Sequence, residues 1–436
     1  MKKTKFSNYI AMTSISTETT QAHVERKARA AQTASVALRT LSTQIKNNAL
    51  LAIADALIEN QQHIFEANER DLAAGRERAI STSLLDRLKL DAKRVLDMAE
   101  GCRQIAALPD PIGQIIDGRT LPNGLRLQQV RVPLGVVGVI YESRPNVTVD
   151  TAALCLKSGN AVVLRGGSEA IHSNTLLTQI MTEAAHKAGV PDGAISTIET
   201  TDRAAMGHLV TLNGIVDLVI PRGGEGLKKA IGAVATVPMI FAAGGVCHIF
   251  VDESAELAQA VEVVFNAKVQ RPSTCNALET LLVHQNIARE FLPIVAKRLC
   301  DGGVELRGDE TAQNIVAMKA ATEDDWHAEY LDLTLAVRVL DSLDDAISHI
   351  ARYGSGHSES ILTRDYSNGE KFVAQVDAAA VYINASTRFT DGFEFGLGAE
   401  VGISTQKLHA RGPMGLEALT STKYIVRGDG HIRNYS

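Results

Sequence analysis

The chain has 436 residues, of which 45% are hydrophobic and 22% charged, and its formal net charge at pH 7 is −6. This length exceeds what one core normally supports, so two domains with a small appendage are expected. The absence of a basic stripe argues against nucleic-acid binding, and no apolar run approaches the ~20 residues that a membrane-spanning helix needs.

The five cysteines do not follow a disulfide or zinc pattern. Their number is odd, and no two of them have the CxxC spacing. A reducing compartment is therefore predicted. The basic N-terminus has no apolar stretch behind it, as a signal peptide would, so we expect a cytoplasmic protein.

Residues from about Val24 to Leu108 are predicted to be helical, because apolar residues such as Leu50, Ile53 and Leu57 recur at three- and four-residue steps. Residues 113–132 contain the turn sequence Asn123-Gly124 between apolar stretches and are predicted to form a hairpin. A hairpin with little core of its own is marginally stable, so it should pack on another element or subunit.

Two series of short apolar runs follow, each alternating with segments of helix length. This alternation is typical of parallel sheets covered by helices. The predicted strands of the first series are Val136–Ile140, Ala161–Leu164, Ile195–Ile198, Asp217–Ile220 and Cys247–Val251. Those of the second are Glu279–Val283, Val304–Arg307, Leu335–Leu340, Ser360–Leu362 and Ala380–Ile383.

These patterns divide the chain into three predicted units. Residues 18–112 and 133–251 form a cofactor-binding domain, and residues 252–404 form a catalytic domain. Residues 113–132 and 405–436 form a third unit, in which the hairpin pairs with a strand around Lys423–Val426. The predicted fold class is therefore α/β.

Cys275 is the first candidate for chemistry. It follows Pro272, which ends the preceding helix, and lies near Arg271 and Lys268 in the sequence. Cysteine reacts as its thiolate, so a catalytic cysteine needs exposure and a positive neighbourhood. A small core residue would give the same local pattern, and these residues alone leave both interpretations open. The other four are expected to be buried and structural: Cys102, Cys155, Cys247 and Cys300.

Two turns at the carboxyl ends of predicted strands are candidates for nucleotide binding. Arg222-Gly223-Gly224 opens a helix, whose first amides favour anions, although the GxGxxG spacing is absent. Arg165 ends another strand and is placed to bind a ribose or a phosphate. An ordinary strand–helix turn and a solvated arginine are the alternatives.

Two polar loops, Tyr353–Glu359 and Asn384–Gly392, are further candidates. The second loop contains Arg388 flanked by hydroxyl side chains, including Ser386. Because the planar guanidinium matches a carboxylate, Arg388 suits a substrate carboxylate. An ordinary surface loop is the alternative for both.

Together these motifs resemble the aldehyde dehydrogenase superfamily. Pro133–Ile140 is similar to its first cofactor-domain strand, Ser158–Arg165 to the strand that holds the adenosine ribose, and Cys275 falls at the nucleophile. Longer motifs resemble the γ-glutamyl phosphate reductase branch over nearly all the chain after the polar N-terminus: Tyr141–Val149, Gln270–Asn276, Tyr353–Glu359 and Asn384–Asp391.

The resemblance implies two Rossmann-like domains with a small β oligomerisation unit, and hence a homo-oligomer. It implies NADPH-dependent reduction of γ-glutamyl 5-phosphate to glutamate 5-semialdehyde and phosphate, in proline biosynthesis. Cys275 would form a thioester, with its own N–H and the Asn146 side chain as oxyanion donors. A CoA-acylating aldehyde dehydrogenase is the alternative. Glutamate 5-kinase is a candidate partner, whereas no metal, membrane or nucleic acid is expected.

The resemblance also implies the ligand-binding residues. Arg165 or Arg222 would bind the 2′-phosphate of NADPH, and Glu329 the nicotinamide ribose. Arg144 or Arg271 would hold the leaving phosphate, and Arg388 the α-carboxylate. The complete sets are Arg165, Glu169, Arg222, Gly223, Gly224 and Glu329 for the cofactor, and Arg144, Arg271, Ser386 and Arg388 for the substrate.

One departure from the superfamily pattern concerns water activation. Hydrolytic members place a general-base glutamate before a Gly-Gly pair, where this chain has Ala242-Ala243 before Gly244-Gly245. A general base must reach the proton that it removes, so we expect no carboxylate to activate water. This favours reduction over hydrolysis and fits a CoA-acylating enzyme equally well.

Overall fold

The computed structural model describes residues 18–242 and 244–433. Its α-helices are α1 Thr20–Leu38, α2 Thr43–Glu59, α3 Gln61–Glu77, α4 Thr82–Leu88, α5 Ala92–Ala107, α6 Pro145–Lys157, α7 Ile171–Lys187, α8 Ala204–Leu209, α9 Glu225–Gly232, α10 Leu257–Val269, α11 Gln285–Asp301, α12 Glu310–Gln313, α13 Glu323–Trp326, α14 Leu343–Tyr353 and α15 Tyr366–Gln375. Its strands are β1 Ile115–Thr120, β2 Arg126–Pro133, β3 Val136–Tyr141, β4 Ala161–Gly166, β5 Ile195–Thr197, β6 Leu218–Arg222, β7 Cys247–Val251, β8 Leu278–His284, β9 Glu305–Gly308, β10 Lys319–Ala320, β11 Thr334–Leu340, β12 Ser358–Leu362, β13 Ala380–Ile383, β14 Ile403–Ser404, β15 Gly412–Pro413 and β16 Thr420–Arg427.

Two parallel sheets form the body of the molecule, which confirms the predicted α/β class. One has the strand order β5-β4-β3-β6, and the other has the order β10-β9-β11-β8-β7-β12-β13. Helices between successive parallel strands cover such sheets, so their strands are apolar along their whole length. Every residue of β3 and β4 is buried accordingly.

The sequence analysis predicted that Cys247–Val251 belongs to the first sheet, and this prediction is wrong. β7 lies inside the seven-stranded sheet, where it pairs with β8 on one side and β12 on the other. A buried apolar strand fits either sheet equally well by composition, so the pattern could not reveal which partners it has. The chain therefore enters the second sheet before Cys247, and the domain boundaries remain a prediction.

A third sheet joins distant parts of the chain in the order β1-β2-β16. β16 runs antiparallel to β2, with Thr420 opposite Pro133 and Arg427 opposite Arg126. The predicted pairing of the hairpin with the C-terminal strand is thus confirmed. β1 is exposed along its whole length, as expected for a hairpin with little core of its own.

The helices before the hairpin cover the first sheet. α2 and α5 pack against each other and against α6, and α2 and α3 also contact α7. Leu50, Ile53 and Leu57 are fully buried in this interface, as their spacing predicted. None of the helices in the described ranges is both long and apolar enough to cross a lipid bilayer.

Candidate active site

A cavity of about 960 Å³ lies at the carboxyl ends of β3, β4 and β6, the strand edge where parallel sheets bind ligands. Ser143, Gly167 and Gly223 line this side. The opposite wall includes Cys275 and Arg388. The cavity thus brings together segments that are far apart in the sequence.

Cys275 is half-buried and lines the cavity, on the loop between α10 and β8. Two contacts fix its backbone. The Cys247 thiol donates to the Cys275 carbonyl at 3.2 Å, and a Cβ at Gly245 would lie 1.5 Å from that same oxygen. Only glycine can therefore occupy position 245 without displacing the nucleophile loop.

The remaining cysteines only partly match the prediction that they are buried. Cys102, Cys155 and Cys247 are buried, as expected. Cys300 is exposed near the end of α11, so its assignment to the core is wrong. The apolar character of that helix did not reveal which of its faces meets solvent.

Asn276, the residue after the nucleophile, ties this loop to the segment around Arg388. Its Nδ2 donates to the carbonyls of Arg388 at 3.2 Å and Thr390 at 2.9 Å. Its Oδ1 accepts from the Arg388 guanidinium, and its carbonyl accepts from the Thr387 hydroxyl at 2.7 Å. Because the loop is held from both sides, the thiol has a fixed direction relative to the cavity.

Burial raises the pKa of the Cys275 thiol to about 11. Glu400 and Glu329 add to this rise, whereas Arg222 and Arg144 oppose it. Arg222 and Arg144 are thus the groups that favour the thiolate, which is the reactive form of a cysteine.

Two carboxylates line the same cavity as the thiol, at positions other than the one before Gly244-Gly245, and the expectation that neither activates water stays a prediction. Ala243 itself lies outside the described residues. Glu329 lines the cavity, and its Oε1 accepts from the Gly245 N–H at 2.7 Å. Glu400 also lines the cavity, and burial raises its pKa to about 7. Its Oε2 is buried without a hydrogen-bond partner in the described part of the chain. Glu329 was predicted as a cofactor residue, whereas Glu400 was not predicted, because it comes from a distant segment without a recognisable motif.

Arg165 and Glu169 line one part of the cavity. Glu169 Oε1 accepts from the N–H and the hydroxyl of Ser143, at 2.7 and 2.6 Å. Arg165 is buried, and its Nη1 donates to the Gly166 carbonyl at 2.7 Å. Among the described residues its Nε has no acceptor. A buried donor of this kind favours a ligand that supplies an acceptor, so these residues fit the ribose and phosphate groups of a dinucleotide.

Arg222, Gly223 and Gly224 line the same cavity at the start of α9. The Gly224 N–H donates to Glu142 Oε2 at 3.2 Å, so a carboxylate occupies the anion-favouring helix end. Arg222 interacts electrostatically with Cys275 and Glu400, whereas Arg165 interacts with Glu169, Arg203 and Asp202. The two candidates for the 2′-phosphate therefore lie in different electrostatic surroundings.

Arg144, Arg271 and Arg388 line the cavity, whereas Asn146 and Ser386 are not among its lining residues. Asn146 Nδ2 donates to Asp150 Oδ2 at 3.0 Å, one turn along α6. Ser386 is buried, and its Oγ accepts from the Arg388 N–H at 3.3 Å. Ser386 thus holds the backbone of Arg388.

Sequence reasoning missed several charged residues of the cavity: Arg87, Arg203, Asp391 and Glu400. Arg87 stands in the last turn of α4, within the N-terminal helices. A single arginine on a helix carries no local sign of function, and only the tertiary packing shows where it points. Asp391 and Glu400 lie within or beside a loop that the sequence did single out, so their proximity to Arg388 was an available clue.

The cavity combines a half-buried thiol, arginines and glycine turns at the carboxyl ends of parallel strands. A model of the aldehyde dehydrogenase family matches residues 10–332. The chain therefore belongs to the aldehyde dehydrogenase family.

More specific similarity comes from relatives named γ-glutamyl phosphate reductase. The protein of that name from Caldanaerobacter subterraneus subsp. tengcongensis is 55% identical over 411 residues, which cover 94% of this chain and 99% of the relative. The crystal structure of γ-glutamyl phosphate reductase from Thermotoga maritima has a TM-score of 0.92 and 51% identity, covering 94% of this chain and 100% of that one.

A more distant structure shares the fold alone. The acetylating aldehyde dehydrogenase of Geobacillus thermoglucosidasius has a TM-score of 0.70 at 18% identity, over 95% of this chain and 98% of that one. The predicted aldehyde dehydrogenase-like α/β fold is confirmed by both solved structures.

Proposed function

We propose that the chain reduces γ-glutamyl 5-phosphate to glutamate 5-semialdehyde and phosphate, through a thioester on Cys275, as a step of proline biosynthesis. One observation carries the proposal: the Cys275 thiol, the nucleotide-binding candidates Arg165 and Glu329, and Arg388 line a single cavity. The name of the close relatives supplies the substrate.

The first chemical step is acyl transfer to sulfur. The Cys275 sulfur bonds to the acyl carbon, and the bond between that carbon and the phosphate oxygen breaks. The thiol proton and the phosphate leave together as hydrogen phosphate, so atoms and charge balance. In the described part of the chain no acceptor lies within reach of the Cys275 N–H. That donor is therefore available for the developing oxyanion. The Asn146 amide, which donates to Asp150 Oδ2 at 3.0 Å and does not line the cavity, would have to turn away from that carboxylate to act as the second donor.

The nicotinamide cofactor, when bound, supplies the hydride that reduces the thioester and releases the aldehyde from Cys275. NADPH is the proposed form. Arg165 would hold its 2′-phosphate beside Glu169, and Gly223 and Gly224 would approach its phosphates. Glu329 would bind the nicotinamide ribose, because its carboxylate stands in the cavity fixed by the Gly245 N–H.

Arg388 would bind the α-carboxylate of the glutamyl group. Its Nε donates to Gln270 Oε1 at 2.8 Å, and its other hydrogen bond goes to Asn276. These neutral partners orient the guanidinium without neutralising its charge. Ser386 supports this arginine through its backbone.

The three-stranded sheet is the proposed oligomerisation unit of a homo-oligomer, since β1 is exposed along its whole length. Glutamate 5-kinase, which makes the labile acyl phosphate, is the proposed partner. A reducing cytoplasm is the proposed location, in keeping with five free cysteines.

The reverse reaction tests the assignment. Glutamate 5-semialdehyde and NADP⁺ should give NADPH only when inorganic phosphate is added, and CoA should not replace it. Reduction that depends on CoA would favour the CoA-acylating alternative, for which the comparisons offer only a shared fold at 18% identity. Reduction of NADP⁺ with neither phosphate nor CoA would mean that water hydrolyses the thioester, with a cavity carboxylate such as Glu400 activating that water.

A further inference from the structure

Four arginines from separate segments line the cavity. Arg87 comes from the last turn of α4, Arg144 precedes α6, Arg222 ends β6, and Arg271 lies on the nucleophile loop. Two belong to the first parallel sheet and its connections, one to the N-terminal helices and one to the segment before β8. Such convergence cannot result from the local structure of any single element.

None of these four guanidinium groups has a hydrogen-bond or ion-pair partner within residues 18–242 and 244–433. Some arginines elsewhere in the molecule are paired, such as Arg307, which donates to Asp325 Oδ1 at 2.8 Å and to Glu305 Oε1 at 3.0 Å. Unpaired cations that face one cavity repel one another, and an anionic ligand would relieve that repulsion.

The charges act on one another strongly enough to affect ionisation. The pKa of Arg144 is lowered to about 10, first by desolvation and then by the nearby charges of Arg222, Arg87 and Arg271. The Cys275 thiolate acts in the opposite direction on Arg144, and both Arg144 and Arg222 lower the pKa of Cys275. All four cations line the cavity that also contains the nucleophile, and two of them, Arg144 and Arg222, act on the thiol directly.

We propose that Arg87, Arg144, Arg222 and Arg271 form the subsite for the phosphoryl group of the acyl-phosphate substrate, with Arg87 supplied by the N-terminal helical segment. This inference rests on the proposed function and extends it. Guanidinium groups bind phosphate oxygens through paired N–H donors, and in the acyl phosphate the phosphate is bonded through oxygen to the carbon that Cys275 attacks. The same groups would stabilise the charge of the departing phosphate.

The pyrophosphate of the cofactor is the alternative anion that these four arginines could bind. Arg165 interacts electrostatically with Arg203, Glu169 and Asp202, and Cys275 is not among the main groups that act on it. The coupling of Arg144 and Arg222 to the thiol therefore favours the acyl phosphate, and the experiment below distinguishes the two sources.

The test compares Arg87→Gln, the charge-preserving Arg87→Lys and the matched control Arg70→Gln. Arg70 is an exposed arginine of α3 that does not line the cavity. Four quantities are measured: the KM values for inorganic phosphate and for glutamate 5-semialdehyde in the reverse reaction, the Kd for NADPH, and the inorganic phosphate concentration that half-protects Cys275 from iodoacetamide. A thermal unfolding scan of each variant checks its folding.

Arg87→Gln should raise the KM for phosphate and the half-protecting phosphate concentration by about tenfold to a hundredfold, the loss expected for a charge-assisted hydrogen bond. The KM for glutamate 5-semialdehyde and the Kd for NADPH should stay within about twofold of the wild type. Arg87→Lys should recover part of the lost phosphate affinity, and Arg70→Gln should match the wild type in all four quantities. Unchanged phosphate constants would overturn the proposal, and so would a weakened NADPH affinity with unchanged phosphate constants. If the wild type reduces NADP⁺ without phosphate while Arg87 still governs phosphate protection, the subsite stands and the reaction assigned above is wrong.

Discussion

The two parallel sheets of this molecule differ in what their buried strands contain. The central strands of the four-stranded sheet, β3 and β4, are almost entirely apolar up to Arg165. The central strands of the seven-stranded sheet carry buried His248, Glu279 and Glu359. Burying such groups costs free energy unless they are hydrogen-bonded, so the two sheets serve different purposes.

The polar layer of the seven-stranded sheet connects to the nucleophile loop. Lys268 Nζ and Glu279 Oε2 form an ion pair at 2.6 Å with both side chains fully buried, and Glu279 Oε1 accepts from the Leu331 N–H at 3.2 Å. Leu331 and Glu329 belong to one short segment of the cavity wall. Both sheets have hydrophobic cores, and the second also uses buried polar contacts to fix the positions of reactive groups.

The largest effect should come from removing the thiol on the seven-stranded side. Cys275→Ala is expected to reduce turnover by more than about 10⁴-fold, because no thioester can form. NADPH affinity should be nearly unchanged, since the proposed cofactor residues are intact. Residual turnover above a few per cent of wild type would contradict the covalent route.

Breaking the buried ion pair would sharpen the comparison of the two sheets. Lys268→Met should lower the free energy of unfolding by about 3–5 kcal/mol, because the Glu279 carboxylate is left buried without its partner. The double variant Lys268→Met/Glu279→Leu should recover most of that stability yet show reduced turnover, since Leu331 loses its hydrogen bond. Urea unfolding and steady-state kinetics provide the two measurements. A fully active double variant would show that the polar layer does not position the site.

Replacing one arginine on each side of the cavity would separate substrate binding from cofactor binding. Arg388→Ala should raise the KM for the glutamyl substrate by about tenfold to a hundredfold, with little change for NADPH. Arg165→Ala should show the reverse pattern. Equal effects of either variant on both ligands would contradict the assigned roles, and thermal unfolding of both variants serves as the folding control.

The smallest expected effect is a loss of folding stability as the pH is lowered. Burial lowers the pKa of His357 to about 4, whereas an unfolded histidine titrates near 6.5. Between pH 7 and pH 5 the unfolded chain therefore binds a proton that the native state does not, so stability falls, by roughly 1–2 kcal/mol for this residue. His357→Asn should reduce that fall, while replacement of the exposed His186 should not. An identical pH dependence in His357→Asn would show that this histidine is not kept neutral by burial.

The sequence predicted periodic elements well and tertiary neighbours poorly. The apolar runs after Pro133 are strands because uninterrupted buried stretches fit parallel sheets, and the hairpin follows from Asn123-Gly124. Cys247–Val251 was assigned to the wrong sheet because nothing in a short apolar run encodes its partners. Arg388 and Cys275 were found because each stands in a recognisable loop.

The charged residues that the sequence analysis missed illustrate the same limit. Arg87 reaches the cavity only through the packing of α4. Glu400 reaches it because the segment before β14 passes the cavity, which Gly402 and Ile403 also line. The expectation that no carboxylate activates water considered one position in the sequence and stays a prediction, because Glu329 and Glu400 line the cavity from other segments.

The three-stranded sheet has a consequence for synthesis on the ribosome. Arg131 donates to the Thr420 hydroxyl at 3.3 Å across 289 positions of sequence. At typical translation rates β2 therefore emerges roughly 15–60 s before its partner strand β16 exists. During that interval one edge of β2 offers unpaired backbone groups, to which strands of other nascent chains can pair.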